Sequence, residues 1–177
     1  MKLDVPYKVV GEIDKQLTDS FLNKLVENDW YVYDYRQPMG GMKDCNSIPL
    51  RHSSEYTSAT IRNMPLYEKF EKELQDVLDY LKTFYEFEEY VAFMARLQPN
   101  GVIDPHPDSG EFLEQIHRIH VPLQSNSACV YTVENIALNM KVGTVYEIDN
   151  MRVHGVYNKG DEYRIHLVIN LYPKKPI

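Results

Sequence analysis

Near residue 89 the spacing of apolar residues changes from three or four to two, which restricts the chain to a helical segment followed by a β domain. In the first part, Ile13, Leu17, Phe21 and Leu25 recur every four residues, with Leu22 and Val26 beside them. This predicts an amphipathic helix ending near Asn28, before the aromatic run Trp30, Tyr31, Tyr33 and Tyr35. A second helix is predicted from Leu66, Phe70, Leu74, Val77, Leu78, Leu81 and Phe84, with Pro65 suited to its first turn. Between the helices, the stretch from Met39 to Ser54 holds Gly40-Gly41 and reads as a loop leading into a short strand near Ile48 to Arg51. From Glu89 onward, strands are expected at Tyr90 to Gln98, Ile116 to Leu123, Ser127 to Val133, Ile136 to Val142, Thr144 to Ile148, Arg152 to Val156 and Tyr163 to Tyr172. Seven short strands at this spacing describe a β-sandwich or jelly roll. The expectation is one domain over residues 1–177, mainly helical over 1–88, with its β core over 89–173.

Two of these strands alternate in an unusual way. Arg118, His120 and Pro122 share one face, opposite Ile119, Val121 and Leu123. Arg164 and His166 likewise share a face, opposite Ile165, Leu167, Ile169 and Leu171. In an ordinary sandwich the aliphatic faces would turn inward and the Arg/His faces toward water. The two apolar helices offer another arrangement, since they need a sheet to pack on. If they cover the aliphatic faces, the cations turn into the barrel, where they require anionic partners. This arrangement is the one favoured here.

Bulk properties exclude several classes of function. At 177 residues and 44% hydrophobic, the chain is long enough to bury a core. It has no run of about 18 apolar residues that would span a membrane. Its N-terminus (Met1, Lys2, Leu3, Asp4) has no secretory h-region. A net charge of −7, with no basic block beyond Lys174 and Lys175, makes nucleic acid a poor partner. Cys45 and Cys129 stand alone, outside any metal-ligand spacing, and suit reduced thiols in a cytoplasm.

The chemistry lies in His106, Asp108, His154 and Arg164. In an extended chain His106 and Asp108 point to the same side, so a ring nitrogen and a carboxylate oxygen can converge on one ion. Two imidazoles and a carboxylate, with open positions opposite, form the facial set of non-haem Fe(II) oxygenases. Arg164 supplies the two-pronged donor that a dicarboxylate co-substrate needs. Together they point to iron-dependent oxidation driven by 2-oxoglutarate. Taken singly, each residue has a plain alternative, such as a loop histidine or a surface cation, and the order and spacing of the four lift the set above that.

The stretches Ala95-Arg96-Leu97, Pro99-Asn100-Gly101, His106-Pro107-Asp108, Arg118-Ile119-His120-Val121-Pro122-Leu123, Gly143 with Glu147-Ile148-Asp149-Asn150, His154-Gly155-Val156-Tyr157-Asn158 and Arg164-Ile165-His166-Leu167 closely resemble the aspartyl/asparaginyl β-hydroxylase family. The resemblance runs over roughly residues 90 to 172. It implies a mainly β double-stranded β-helix (jelly roll, cupin-like) with N-terminal helices packed on one sheet. It also implies Fe(II) as cofactor and 2-oxoglutarate as co-substrate. By position, His106, Asp108 and His154 would bind iron, Arg164 the far carboxylate of 2-oxoglutarate, and Arg118 with His120 its chelating end. The animal members that hydroxylate protein Asp and Asn lack the metal-binding acid, whereas Asp108 is present here. In that respect the chain is similar to the bacterial branch acting on free amino acids such as proline. The acid also argues against halogenation, since related halogenases leave that position open for chloride.

Arg96, Arg51 and His166 are weaker substrate-binding candidates. Arg96 is expected at the cavity or in an ion pair at the sheet edge, with the cavity favoured. His166 is expected in a structural hydrogen bond or on the pocket wall, and His52 and His117 on the surface. The aromatic run from Trp30 reads as core packing or as a substrate rim. The leading function is hydroxylation of a free amino acid or a small derivative, with O2 and a small molecule as the partners. Hydroxylation of an Asp, Asn or Pro side chain in a protein or peptide, a cupin-like protein binding a metal or organic acid without turnover, and a structural sandwich remain as alternatives.

Overall fold

The computed structural model describes residues 3–33, 42–53 and 60–174. Tyr35, Met39, Gly40, Gly41 and Ser54 lie outside the described residues. Helix α1 (Lys15–Lys24) starts where the Asp14 carboxylate accepts the Gln16 amide at 2.7 Å, an N-cap bond. It stops four residues short of the expected end. There the chain becomes extended at Leu25 and forms a 3-10 turn over Glu27–Tyr31, which buries Trp30 and leaves Tyr31 exposed. Helix α2 (Tyr67–Leu81) buries Phe70, Leu74, Val77, Leu78 and Leu81 along one stripe. Phe21 stacks on Phe70 at 6.1 Å between ring centroids, joining the helices, while Ser20 and Lys24 both bond to the buried Glu73. A third, single-turn helix, α3 (Glu111–Glu114), follows the metal motif.

Eleven strands are described: β1 (Tyr7–Glu12), β2 (Cys45–Ser53), β3 (Ile61–Asn63), β4 (Phe87–Leu97), β5 (Val102–His106), β6 (His117–Gln124), β7 (Cys129–Val133), β8 (Ile136–Leu138), β9 (Thr144–Ile148), β10 (His154–Asn158) and β11 (Arg164–Pro173). They form an antiparallel seven-stranded sheet in the order β1-β9-β6-β11-β4-β2-β3 and a four-stranded sheet in the order β5-β10-β7-β8. This is the expected jelly roll. The residues before 89 contribute three strands as well as the helices, so that part is less helical than its sequence suggests. Strands β1, β3 and β5 are not foreseen by periodicity, and β8 ends at Leu138 rather than Val142.

The alternation on β6 and β11 settles which face is which. Ile119, Val121, Leu123, Ile165, Leu167, Ile169 and Leu171 pack with Phe21, Phe70, Leu74 and Leu78 in one core under the helices. The opposite faces look into the barrel, so Arg118, His120, Arg164 and His166 are all buried. An exposed Arg/His face, which a purely structural sandwich would need, is ruled out.

On the helix side, Glu147 of β9 is only 1% exposed yet charged. It accepts from Lys8 of β1 at 2.6 Å, from Tyr85 at 2.8 Å, and pairs with His117 at 2.6 Å. His117 is therefore half-buried in a network rather than on the surface. Burial would raise the Glu147 carboxyl, but the bonds from His117, Lys8 and Tyr85 outweigh it and bring it from 4.5 to about 2. A carboxyl depressed in the folded state stabilises the fold above its unfolded value and loses that contribution as pH falls from 4.5 through about 2. Denaturant unfolding measured across that window should lose on the order of 3 kcal/mol. Glu147→Gln should flatten this acid limb, and an unchanged limb would rule out Glu147 as its source.

Candidate metal centre

The antiparallel pairing of β5 with β10 sets His106 directly opposite His154, with the ring centroids 4.7 Å apart. The close approach depends on Gly155, where a Cβ would sit 3.0 Å from the Ile103 carbonyl oxygen and 3.1 Å from Pro105 N. Asp108 is drawn to the same point because its amide donates to the Asn150 carbonyl at 2.9 Å, tying the metal turn to the turn before β10. One ligand atom from each of His106, Asp108 and His154 lies within 4.8 Å of the others.

Hydrogen bonds fix which nitrogens are offered. His106 Nδ1 lies 2.6 Å from the Asp104 carbonyl oxygen, and His154 Nδ1 lies 2.8 Å from that of Arg152. A carbonyl only accepts, so both rings carry their proton on Nδ1 and present the Nε2 lone pair. Burial pushes His154 below its ordinary value, which favours the neutral ligand form.

Asp108 is equally constrained. Its Oδ2 accepts from Arg118 Nη2 at 2.6 Å and from Asn150 Nδ2 at 3.2 Å, leaving Oδ1, 3.9 Å from His106 Nε2, for an ion. Burial would raise this carboxyl, but Arg118, His154, Asn150 and His106 together hold it below its ordinary value. Two neutral imidazoles and one ionised carboxylate oxygen, each oriented by a partner, fit a divalent iron ion.

Opposite the triad, Arg164 opens the inner face of β11 and is 2% exposed. Its Nη2 lies 2.7 Å from His166 Nδ1, and His166 Nδ1 lies 3.4 Å from His120 Nδ1. The Tyr131 ring is parallel to His154 at 6.2 Å and edge-on to His120 at 5.5 Å. Burial raises the Tyr131 hydroxyl, so it stays protonated and able to donate. Triad, Arg118, His120, Arg164 and Tyr131 line one cavity of about 450 Å³, counted to its open mouth. Its apolar walls include Phe93, Ala95, Ile103, Val156 and Val168.

The structure thus brings together His106, Asp108, His154, Arg118, His120 and Arg164. Arg96 is a correction. It shares the helix-side face of β4 with Ala92 and Met94, lies between the Trp30 and Tyr163 rings at 4.6 and 4.5 Å, and forks onto Glu27 at 2.6 and 3.0 Å. Arg51 is likewise engaged elsewhere, paired with Glu89 at 2.6 Å and stacked over Tyr90. Trp30, held under Arg96, belongs to the core and not to a substrate rim. Tyr131 and the Asn150 side chain went unassigned in the sequence. The alternation of Cys129, Tyr131 and Val133 could have placed Tyr131 inward, whereas nothing local places Asn150 on Asp108.

A double-stranded β-helix with this triad at its mouth and a buried arginine facing it has the architecture of the 2-oxoglutarate/Fe(II) oxygenases. Over 94% of this chain and 84% of that one, the fold is similar to a 2OG-Fe(II) oxygenase family protein from Burkholderia pseudomallei, with a TM-score of 0.68 at 13% identity. It is also similar to a Pseudomonas putida prolyl-4-hydroxylase, with a TM-score of 0.59 at 10% identity over 97% of this chain and 95% of that one. In sequence, 77 residues are 32% identical to L-proline cis-4-hydroxylase of Rhizobium meliloti, covering 44% of this chain and 28% of that relative's length. The profile of the Aspartyl/Asparaginyl beta-hydroxylase family matches residues 48–173, and the chain belongs to that family. The match begins at Ile48, well before residue 90, and takes in most of β2 together with β3 and α2.

Proposed function

We propose that this chain is a 2-oxoglutarate-dependent dioxygenase that hydroxylates an unactivated C–H of a free amino acid or a small amino-acid derivative. The observation that carries this is the oriented triad sharing one buried cavity with Arg164. His106 Nε2, His154 Nε2 and Asp108 Oδ1 would hold the iron. With 2-oxoglutarate and O2, the iron supplies an oxidation that puts one oxygen atom into the substrate C–H and the other into succinate, with loss of carbon dioxide.

The residues of the chain bind, orient and exclude water. Arg118 and Asn150 take up Oδ2 of Asp108 and so limit it to one ligand oxygen. Arg164, buried at the far wall, would receive the distal carboxylate of the co-substrate through parallel N–H bonds. Arg118 Nε is buried with no hydrogen-bond partner among the described residues, which supports a further role toward the chelating end, shared with His120. Phe93, Ile103, Val156 and Val168 keep the cavity apolar.

The small cavity, the presence of Asp108 and the likeness to a proline hydroxylase support a free amino acid as substrate. The strands before residue 89 complete the sheet that carries Arg118 and Arg164, which supports a single unit over residues 1–177. Among the described residues no helix is long and apolar enough to cross a membrane. Cys45 and Cys129 are buried thiols outside any disulfide, which supports a cytoplasmic setting.

Anaerobic addition of Fe(II) and then 2-oxoglutarate should produce a weak visible charge-transfer band that is lost in His154→Ala. Its absence from folded, metal-loaded protein would favour a binding protein without turnover. Once the band is seen, succinate release should rise with free L-amino acids. A rise with proline-, aspartate- or asparagine-containing peptides alone would move the assignment to a protein side chain.

A further inference from the structure

His166 is not among the residues lining the cavity, yet it sits on the residue that matters most at the far wall. It is 1% exposed, on the same inward face of β11 as Arg164. A guanidinium only donates, so the 2.7 Å contact requires His166 Nδ1 to be an unprotonated acceptor, with the ring proton on Nε2. His120 Nδ1 lies farther off, 3.4 Å from the same nitrogen, whose single lone pair is already taken by Arg164. Arg164 favours the neutral ring, because a proton on Nδ1 would face its cation.

We propose that His166 is a positioning residue that sets the affinity for the co-substrate by holding the Arg164 guanidinium in the orientation that receives a distal carboxylate. The proposal rests on the assignment of Arg164 as the anchor for 2-oxoglutarate. The physical basis is the stiffness of the fork. Arg164 and His166 are two residues apart on one strand, so their separation is fixed by the sheet, and one Nη2–H is committed to Nδ1. The remaining donors of the planar group are then aimed rather than free to rotate. An aimed donor loses less entropy when the carboxylate arrives, and an unaimed one loses more.

The test compares two keto acids that share a head and differ at the tail. 2-Oxoglutarate carries the distal carboxylate, and 2-oxopentanoate replaces it with a methyl group. Each is titrated anaerobically into Fe(II)-loaded protein, with affinity read from the visible charge-transfer band. Wild type should prefer 2-oxoglutarate strongly. His166→Leu should lower that preference about tenfold, the size of one hydrogen bond to a charged group, and leave 2-oxopentanoate within about twofold. His166→Asn, whose amide oxygen can take the place of Nδ1, should restore most of the preference. A full preference in His166→Leu overturns the proposal and leaves the role of Arg164 standing. Wild type without any preference overturns both. Equal loss for the two keto acids means a general disturbance of the site and also overturns it. If His166→Leu does not fold, the contrast is read between His166→Asn and His166→Gln, whose longer amide carries its oxygen past the Nδ1 position. Equal preference in those two overturns the proposal.

Discussion

His154→Ala is expected to lose at least about 100-fold in iron affinity and, with it, measurable turnover. Removing a residue that only orients a ligand costs roughly 10–100-fold in metal affinity or activity, so removing the ligand itself should cost no less. The variant should still fold, since His154 starts a strand whose register is held by Gly155, Val156 and Tyr157 against β7. Asp108→Ala should match it in iron binding and differ in stability. It strips the buried Arg118 of its 2.6 Å partner, and leaving a buried cation unpaired costs about 3–5 kcal/mol. Anaerobic iron titration and denaturant unfolding on both variants separate the two effects. Iron binding at wild-type strength in either variant would remove the triad from the metal site.

Arg164→Leu is expected to weaken 2-oxoglutarate by about 100-fold while leaving iron binding nearly unchanged. Truncating one partner of a buried, hydrogen-bonded charge pair costs about 2–5 kcal/mol, and roughly 3 kcal/mol corresponds to two orders of magnitude. The metal ligands are on β5, the turn after it and β10, in the other sheet, so their geometry does not depend on this side chain. Titrating the charge-transfer band against 2-oxoglutarate at saturating Fe(II) gives the number. A co-substrate affinity unchanged by the substitution would place the distal carboxylate elsewhere in the cavity.

How far the sequence could be read depended on where each element lies in its sheet. The stripe of α2 and the alternation of β6, β9 and β11 are clear because these elements bury one whole face against a core. The strands that escaped, β1, β3 and β5, and the shortened β8 all stand at sheet edges. An edge strand has less to bury and tolerates residues that break the pattern. Val9 of β1 is 57% exposed, and β5 carries Asp104 and Pro105. Arg96 went to the opposite face for a related reason. Val91, Phe93, Ala95 and Leu97 alternate with Ala92 and Met94, so both faces of β4 are apolar and periodicity cannot say which looks inward. The register with β11, which places Arg96 beside Ile165, decides it.

By itself the sequence determined the apolar stripes of the two helices and the inward turn of the Arg118/His120 and Arg164/His166 faces, and it pointed to the set His106, Asp108, His154 and Arg164. The stripes and faces follow from local spacing and from the requirement that aliphatic faces be covered, and the set follows from the order of its residue types along the chain. Only the tertiary structure decided that Arg118 and Asn150 grip one oxygen of Asp108, that Arg96 packs under Trp30, and that His166 holds Arg164. Most of these pairings join segments distant in the chain, and His166 and Arg164, two apart on one strand, meet because both side chains are buried on the same face of it. Contacts of that kind are set by strand register and side-chain direction, which hydrophobic spacing does not encode.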